Sequence, residues 1–170
     1  MDINPVINEL SKNKIIFQSL FENLPSDFYL WREGDDKWNL LEILCHLYDE
    51  ERDDFRNRVQ NTLENPQAPF TPIEPGKWVT SRKYSEQNYA EKLKDFLAER
   101  DNSIKYLSEL QNPQWENEHI HPKFGAMKAK MFLYNWLAHD YLHIRQIIRV
   151  KYNYFKEVSG EKFDYAGELI

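Results

Sequence analysis

The sequence predicts an all-α protein: a four-helix bundle of up-down-down-up topology, built as one domain over residues 1–170. Two observations carry this. Apolar residues recur at helical spacing in four long stretches. The connection between the second and third of these, residues 65–84, holds Pro66, Pro69, Pro72, Pro75 and Gly76, a density that excludes helix and disfavours a central strand. A tight loop makes neighbouring helices antiparallel, whereas about twenty residues can travel back the length of a bundle. Helices 2 and 3 are therefore expected to run parallel, with Phe70, Ile73 and Trp78 pinning this Pro-rich crossover to the bundle.

The first helix begins near Asn4-Pro5, with Asn4 as N-cap and Pro5 at the first helical position, and ends before Pro25. Its apolar stripe of Val6, Leu10, Ile15 or Ile16, Phe17 and Leu20 to Phe21 suits bundle packing. A polar turn around Gly34-Asp35-Asp36 follows, flanked by Trp31 and Trp38, which plug the end of a core. The second helix runs from Leu40 to about Leu63, opened by a capping box between Asn39 and Glu42. The third starts at Ser85 as N-cap and reaches about Leu110, its apolar Tyr89, Leu93, Phe96 or Leu97, Ile104 and Leu107 marking it as scaffold. Asn112-Pro113 opens a second connection containing Trp115, His119 and His121. In an extended segment those two imidazoles share a face, so a separate metal site there is conceivable, although no Cys or acid stands at ligand spacing. The fourth helix begins between Ala126 and Lys128 and ends by about Tyr152, leaving an aromatic-bearing tail.

Bulk composition narrows the function. A net charge of −6 argues against a general phosphate-backbone binder and against steering to anionic membranes, so neither nucleic acid nor a membrane is an expected partner. The single Cys45 cannot close an internal disulfide and reads as a small buried residue. No signal-type segment opens the chain and no apolar run reaches spanning length, so a soluble, cytoplasmic protein is the expectation.

The residues that carry chemistry are histidines. His139 and His143 lie four apart in a helix, so their side chains project about 40° from one another and one turn apart. Such a pair can hold two corners of a metal polyhedron or share a polar core. His46, midway along the second helix, is the best third ligand, and three neutral imidazoles leave open coordination positions, as a catalytic metal requires. Glu50, one turn beyond His46, is a fourth ligand, a proton-accepting catalytic base, or a group orienting an imidazole. It also sits in the acidic run 49–54, and charge runs are usually solvated faces. Trp136 and Tyr141 are pocket candidates with an equally good reason to be core.

The Trp38-led helix carrying His46-Leu47 with a glutamate after it, together with Ala138-His139-Asp140-x-x-His143-x-x-Gln146-Ile147, resembles the DinB-like superfamily, including its YfiT-type metal-dependent hydrolases, from about residue 7 to 150. That resemblance implies the same bundle, with a metal held by one His of helix 2 and two of helix 4, hence His46, His139 and His143. It implies a hydrolase, or a transferase using a low-molecular-weight thiol such as bacillithiol or mycothiol, acting on a small-molecule substrate. Zinc and nickel are the favoured ions and ferrous iron also accepts imidazole; affinity order does not select among them. The alternative is a non-enzymatic helical stress protein that binds a metal or small ligand, with a homodimer as a candidate assembly.

Overall fold

In a computed structural model describing residues 1–121 and 123–167, four helical rods carry the chain. The first, α1 (Asn4–Phe21), begins one residue earlier than expected. Asn4 is its first residue and not its cap; the side chain of Asp2 accepts the Asn4 N–H at 2.9 Å. The following turn contains a one-turn helix, α2 (Ser26–Tyr29). The second rod opens with α3 (Leu40–Asp49), where the expected capping box is formed: Glu42 N–H donates to Asn39 Oδ1 at 2.9 Å and Asn39 N–H to Glu42 Oε2 at 3.1 Å. Arg32 grips the same carboxylate with both terminal nitrogens, at 2.6 and 2.7 Å, so the preceding loop is tied to the helix start.

This rod then widens into a π turn (Glu50–Phe55) and resumes as α4 (Arg56–Glu64). Leu47, Glu51, Phe55 and Val59 are four apart, and in an α-helix each such step drifts about 40° around the axis. The wider π turn absorbs that drift, so that Leu47, Glu51 and Val59 are all buried and Phe55 packs against Trp136.

The crossover is not free of helix, as its proline count had implied. Pro75 starts α5 (Pro75–Ser81) at the position where a missing N–H costs nothing, and Trp78 then reaches inward to Leu41, Cys45 and Tyr84. Ser85 falls in a 3-10 turn (Tyr84–Glu86), and the cap of the third rod, α6 (Tyr89–Glu109), is Asn88, whose Oδ1 accepts from Glu91 N–H at 3.0 Å. The second connection holds a small antiparallel hairpin, β1 (Glu118–His121) with β2 (Gly125–Lys128), which the sequence reading did not anticipate. The last rod, α7 (Ala129–Ser159), runs seven residues past the expected Tyr152 and stops at Gly160, whose φ of 66° is a left-handed cap. Beyond it Phe163 meets Tyr152 edge to face; the tail positions 168–170 lie outside the described residues. Among the described residues no helix is long and apolar enough to cross a membrane.

Side-chain pairs fix the directions. Along α1 the contacts Asn13 to Asp140 and Leu20 to Lys151 climb together, so α1 and α7 are parallel. Pairs Leu10 to Arg100 and Phe21 to Tyr89 descend, so α6 is antiparallel to α1. Glu51 meets Arg100 and Arg56 meets Ser103 on α6, a parallel sense, while His46 and Glu51 meet His139 and Trp136 in an antiparallel one. The bundle is up-down-down-up.

At mid-height all four rods meet on one buried network. Arg100, 1% exposed, donates to both oxygens of Asp140 at 2.6 and 2.7 Å and lies 2.8 Å from Glu51 Oε1. Asn13 Nδ2 donates to Asp140 Oδ2 at 3.0 Å and Trp136 Nε1 to Glu51 Oε2 at 2.8 Å. Burial works against the Arg100 cation, but Asp140 and Glu51 outweigh it and hold its pKa above the ordinary value. Apolar clusters flank the network, one around Leu10, Val59, Leu133 and Trp136, the other around Phe17, Ile43, Phe96 and Ile147. Replacing Arg100 with Leu strands two buried carboxylates, so urea denaturation of Arg100→Leu should show a loss of about 3–5 kcal/mol, well above the ~1 kcal/mol expected for Asn13→Ala. A loss for Arg100→Leu no larger than that of Asn13→Ala would show that the network does not hold the rods together.

Candidate metal centre

His46 comes from the middle of α3, and its position is set by the capping box that starts that helix and by Trp38, whose ring lies 5.0 Å from the imidazole. His139 and His143 come from one face of α7. The structure brings all three together: His46 Nε2 is 3.3 Å from His139 Nε2, which is 3.0 Å from His143 Nε2. The three ligand nitrogens lie within 4.8 Å of one another, and among the described residues this is the one such group of three or more His, Cys, Asp or Glu.

The donor set fits a divalent ion. With metal–nitrogen bonds of about 2.0–2.1 Å, ligands at 90–109° to one another have nitrogens roughly 2.8–3.4 Å apart, and the His46–His139 and His139–His143 pairs show that spacing. Gln146, one turn after His143, faces its Nδ1 at 2.7 Å. Its amide oxygen accepts the Nδ1–H, which leaves the Nε2 lone pair pointing to the cluster. His46 Nδ1 is buried without a hydrogen-bond partner, and the nearest acceptor is Glu50 Oε1 at 4.0 Å, itself buried and unpartnered.

Burial keeps all three imidazoles neutral, the form that binds metal. It drives His46 down to about 3, helped by the neighbouring His143, and His139 down to about 2, helped by His143, His46 and Arg100. His143 is lowered by the same burial, partly offset by its bond to Gln146.

The acidic run is not a solvated face. Asp49, Glu50, Glu51 and Asp54 are buried, and most have a guanidinium: Asp49 and Asp53 share Arg82 at 2.8 Å, Glu51 has Arg100 and Asp54 has Arg58. Glu50, 4% exposed, has no such partner among the described residues, and burial pushes its carboxyl up to about 7. Tyr141 faces outward and bonds Glu9, and Trp136 is core; neither lines a pocket at the centre. Cys45 is buried with its thiol pushed up to about 12 by desolvation, which agrees with a packing role. His119 and His121 do not form a second centre. His119 stacks on Phe70 with Nδ1 3.1 Å from Pro66 O, and His121 Nδ1 accepts the backbone N–H groups of Lys123 and Phe124. Reasoning from sequence gave no role to Gln146, although its three-residue offset from His143 signals a same-face partner. It also missed Phe55, whose ring lies 4.8 Å from that of His139 and which only the π turn brings there.

A family model described as the DinB superfamily matches residues 10–147. Among solved structures the chain is similar to YfiT from Bacillus subtilis, a probable metal-dependent hydrolase with an unusual four-helix bundle topology, at 15% identity and a TM-score of 0.77, covering 94% of this chain and 88% of that one. No curated protein matches the sequence.

The depressed imidazoles fix the sign of a pH effect. Below about 6.5 an unfolded chain protonates histidines that the folded chain keeps neutral, so the unfolded state binds more protons and stability rises with pH up to that point. Glu50 opposes this, because its raised folded pKa removes stability as pH climbs from 4.5 to about 7. Buried Glu51, whose carboxyl is raised as well, acts in the same direction, and three imidazoles outweigh two carboxyls. The urea midpoint of the metal-free protein should therefore rise between about pH 5 and pH 6.5, and rise more steeply in Glu50→Gln. A flat or falling profile would mean the histidines are not held neutral.

Proposed function

The chain belongs to the DinB superfamily, and from that premise we propose that it is a metal-dependent hydrolase of a small-molecule substrate, with His46, His139 and His143 as metal ligands and Glu50 as proton acceptor. The observation that carries the reading is the convergence of three neutral Nε2 atoms at ligand spacing. Zinc or nickel suits this all-imidazole set best, and ferrous iron is acceptable to it. A divalent ion held there supplies Lewis acidity.

The chain's own groups do the rest. Gln146 holds the His143 ring so that Nε2 faces inward, and Trp38 and Phe55 wall off the imidazoles with apolar surface. Glu50 Oε1, with a carboxyl near 7 and no ion-pair partner, can take a proton from an attacking water and return it to a leaving group near neutral pH. Such a carboxyl favours hydrolysis over S-transfer from a low-molecular-weight thiol, which has less need of a general base. The description of YfiT as a probable metal-dependent hydrolase supports the same choice.

Elemental analysis of protein purified without a His tag should find one divalent ion per chain, and none in stoichiometric amount in His46→Ala, His139→Ala or His143→Ala. Full occupancy in any of these removes that residue from the ligand set. Apo-protein reloaded with zinc, nickel or iron and assayed on simple amides, esters and thiol acceptors should turn over one class. Glu50→Gln should keep the metal and lose about 10²–10⁴-fold in kcat. Metal bound with no turnover on any substrate would favour a non-enzymatic metal- or ligand-binding protein.

A further inference from the structure

Beside the centre, between the crossover, the hairpin and the groove separating α4 from α7, lies a cavity of about 750 Å3. That is the size of a pocket for a small organic molecule. Phe70 and Ile73 from the crossover, Ile120 and Met127 from the hairpin, Phe132 from α7 and Phe55 from the π turn form its apolar walls. It adjoins the histidines. Asn135 on its wall is one turn before His139, Asp54 is one turn after Glu50, and a turn is about 5.4 Å along the axis. Phe55 borders both spaces, touching His139 on one side and the cavity on the other.

Its electrostatics are distinctive. Among the described residues the carboxylate and guanidinium on the walls are Asp54 and Arg58, which pair with each other. The Arg58 guanidinium is also covered by the Phe70 ring, 4.6 Å from its centroid. Paired in this way through the Arg58 Nε, the two add no net charge to the walls. His119 and His121 each have Nδ1 taken by backbone partners, as described above. A charged group entering this space would lose water to apolar walls that carry no net charge.

We propose that this cavity receives an uncharged, largely apolar part of the substrate, an aryl or branched alkyl group, while the reactive end passes Phe55 to the three histidines. The assignment of the occupant as substrate rests on the catalytic reading of the centre; the cavity's selectivity for an uncharged ligand does not. It separates the candidate substrates of that centre, because an anionic thiol cosubstrate is not what these walls bind.

Two dyes of similar shape test this on the full-length protein: uncharged N-phenyl-1-naphthylamine and anionic 1-anilinonaphthalene-8-sulfonate. The neutral dye should bind the metal-free protein at one site per chain, and the sulfonate at least about tenfold more weakly. Ile73→Asp and Ile120→Asp, one on each wall, should each weaken the neutral dye by at least about tenfold. Ile120 is 66% exposed, so its replacement leaves the fold intact, which circular dichroism checks. Loading with Co2+ should quench the bound dye, and in His46→Ala the dye should still bind but escape quenching. Equal affinity for both dyes, or neutral-dye binding untouched by either substitution, would overturn the proposal. Binding without Co2+ quenching in wild-type protein that has taken up the ion would overturn the placement beside the centre. Dye binding and quenching as expected, with no turnover under any metal, would leave the cavity standing and sink the enzymatic reading instead.

Discussion

The position of every rod depends on one guanidinium. Arg100 sits where side chains of all four rods meet, and each of the other three offers it or its partners a polar group: Asn13 from α1, Glu51 from the π turn and Asp140 from α7. Burying these charges is costly, and the cost is met only when all partners are in place. A rod that slides by a turn strands a charge. The centre inherits this constraint, because Asp140 adjoins His139. Successive helical side chains point about 100° apart, so turning Asp140 toward Arg100 turns His139 toward α3.

The π turn matters for a related reason. It keeps Glu51 and Phe55 in line with the core while placing Glu50 against His46 Nδ1. Five acids fall within the six residues 49–54 and four of them are buried, a concentration that a regular amphipathic helix would have turned partly to solvent. Arg58, Arg82 and Arg100 neutralise the structural members. Glu50 is passed over, and that omission distinguishes it chemically from its neighbours.

Much of this was legible in the sequence because it depends on short-range geometry. The His139/His143 spacing, the Asn39/Glu42 capping box and the length of the crossover each translate directly into direction or distance. Other features depend on tertiary partners. Asn88 and Ser85 are both competent caps, and the 3-10 turn that buries Tyr84 decides between them. The proline run looked helix-free because a helix that begins at Pro75 has the same composition as a loop. The acidic run read as solvated because its arginine partners come from up to 49 positions away, as Arg100 does for Glu51. The hairpin was invisible for a similar reason: four-residue strands with burial on alternate positions of only one of them leave little periodicity to read.

The up-down-down-up path also separates the ligands along the chain. His46 and His139 are 93 residues apart, whereas His139 and His143 are neighbours on one helix. An unfolded chain can present the local pair, but bringing in His46 means closing a loop that spans the crossover and α6, with the entropy that such closure costs. The complete donor set is thus a property of the folded bundle alone. During synthesis the first ligand emerges long before the other two, and the third bond to an ion can form only after α7 has docked. Any ion bound by all three raises stability in proportion to the logarithm of its free concentration, so metal supply and persistence of the fold become one variable.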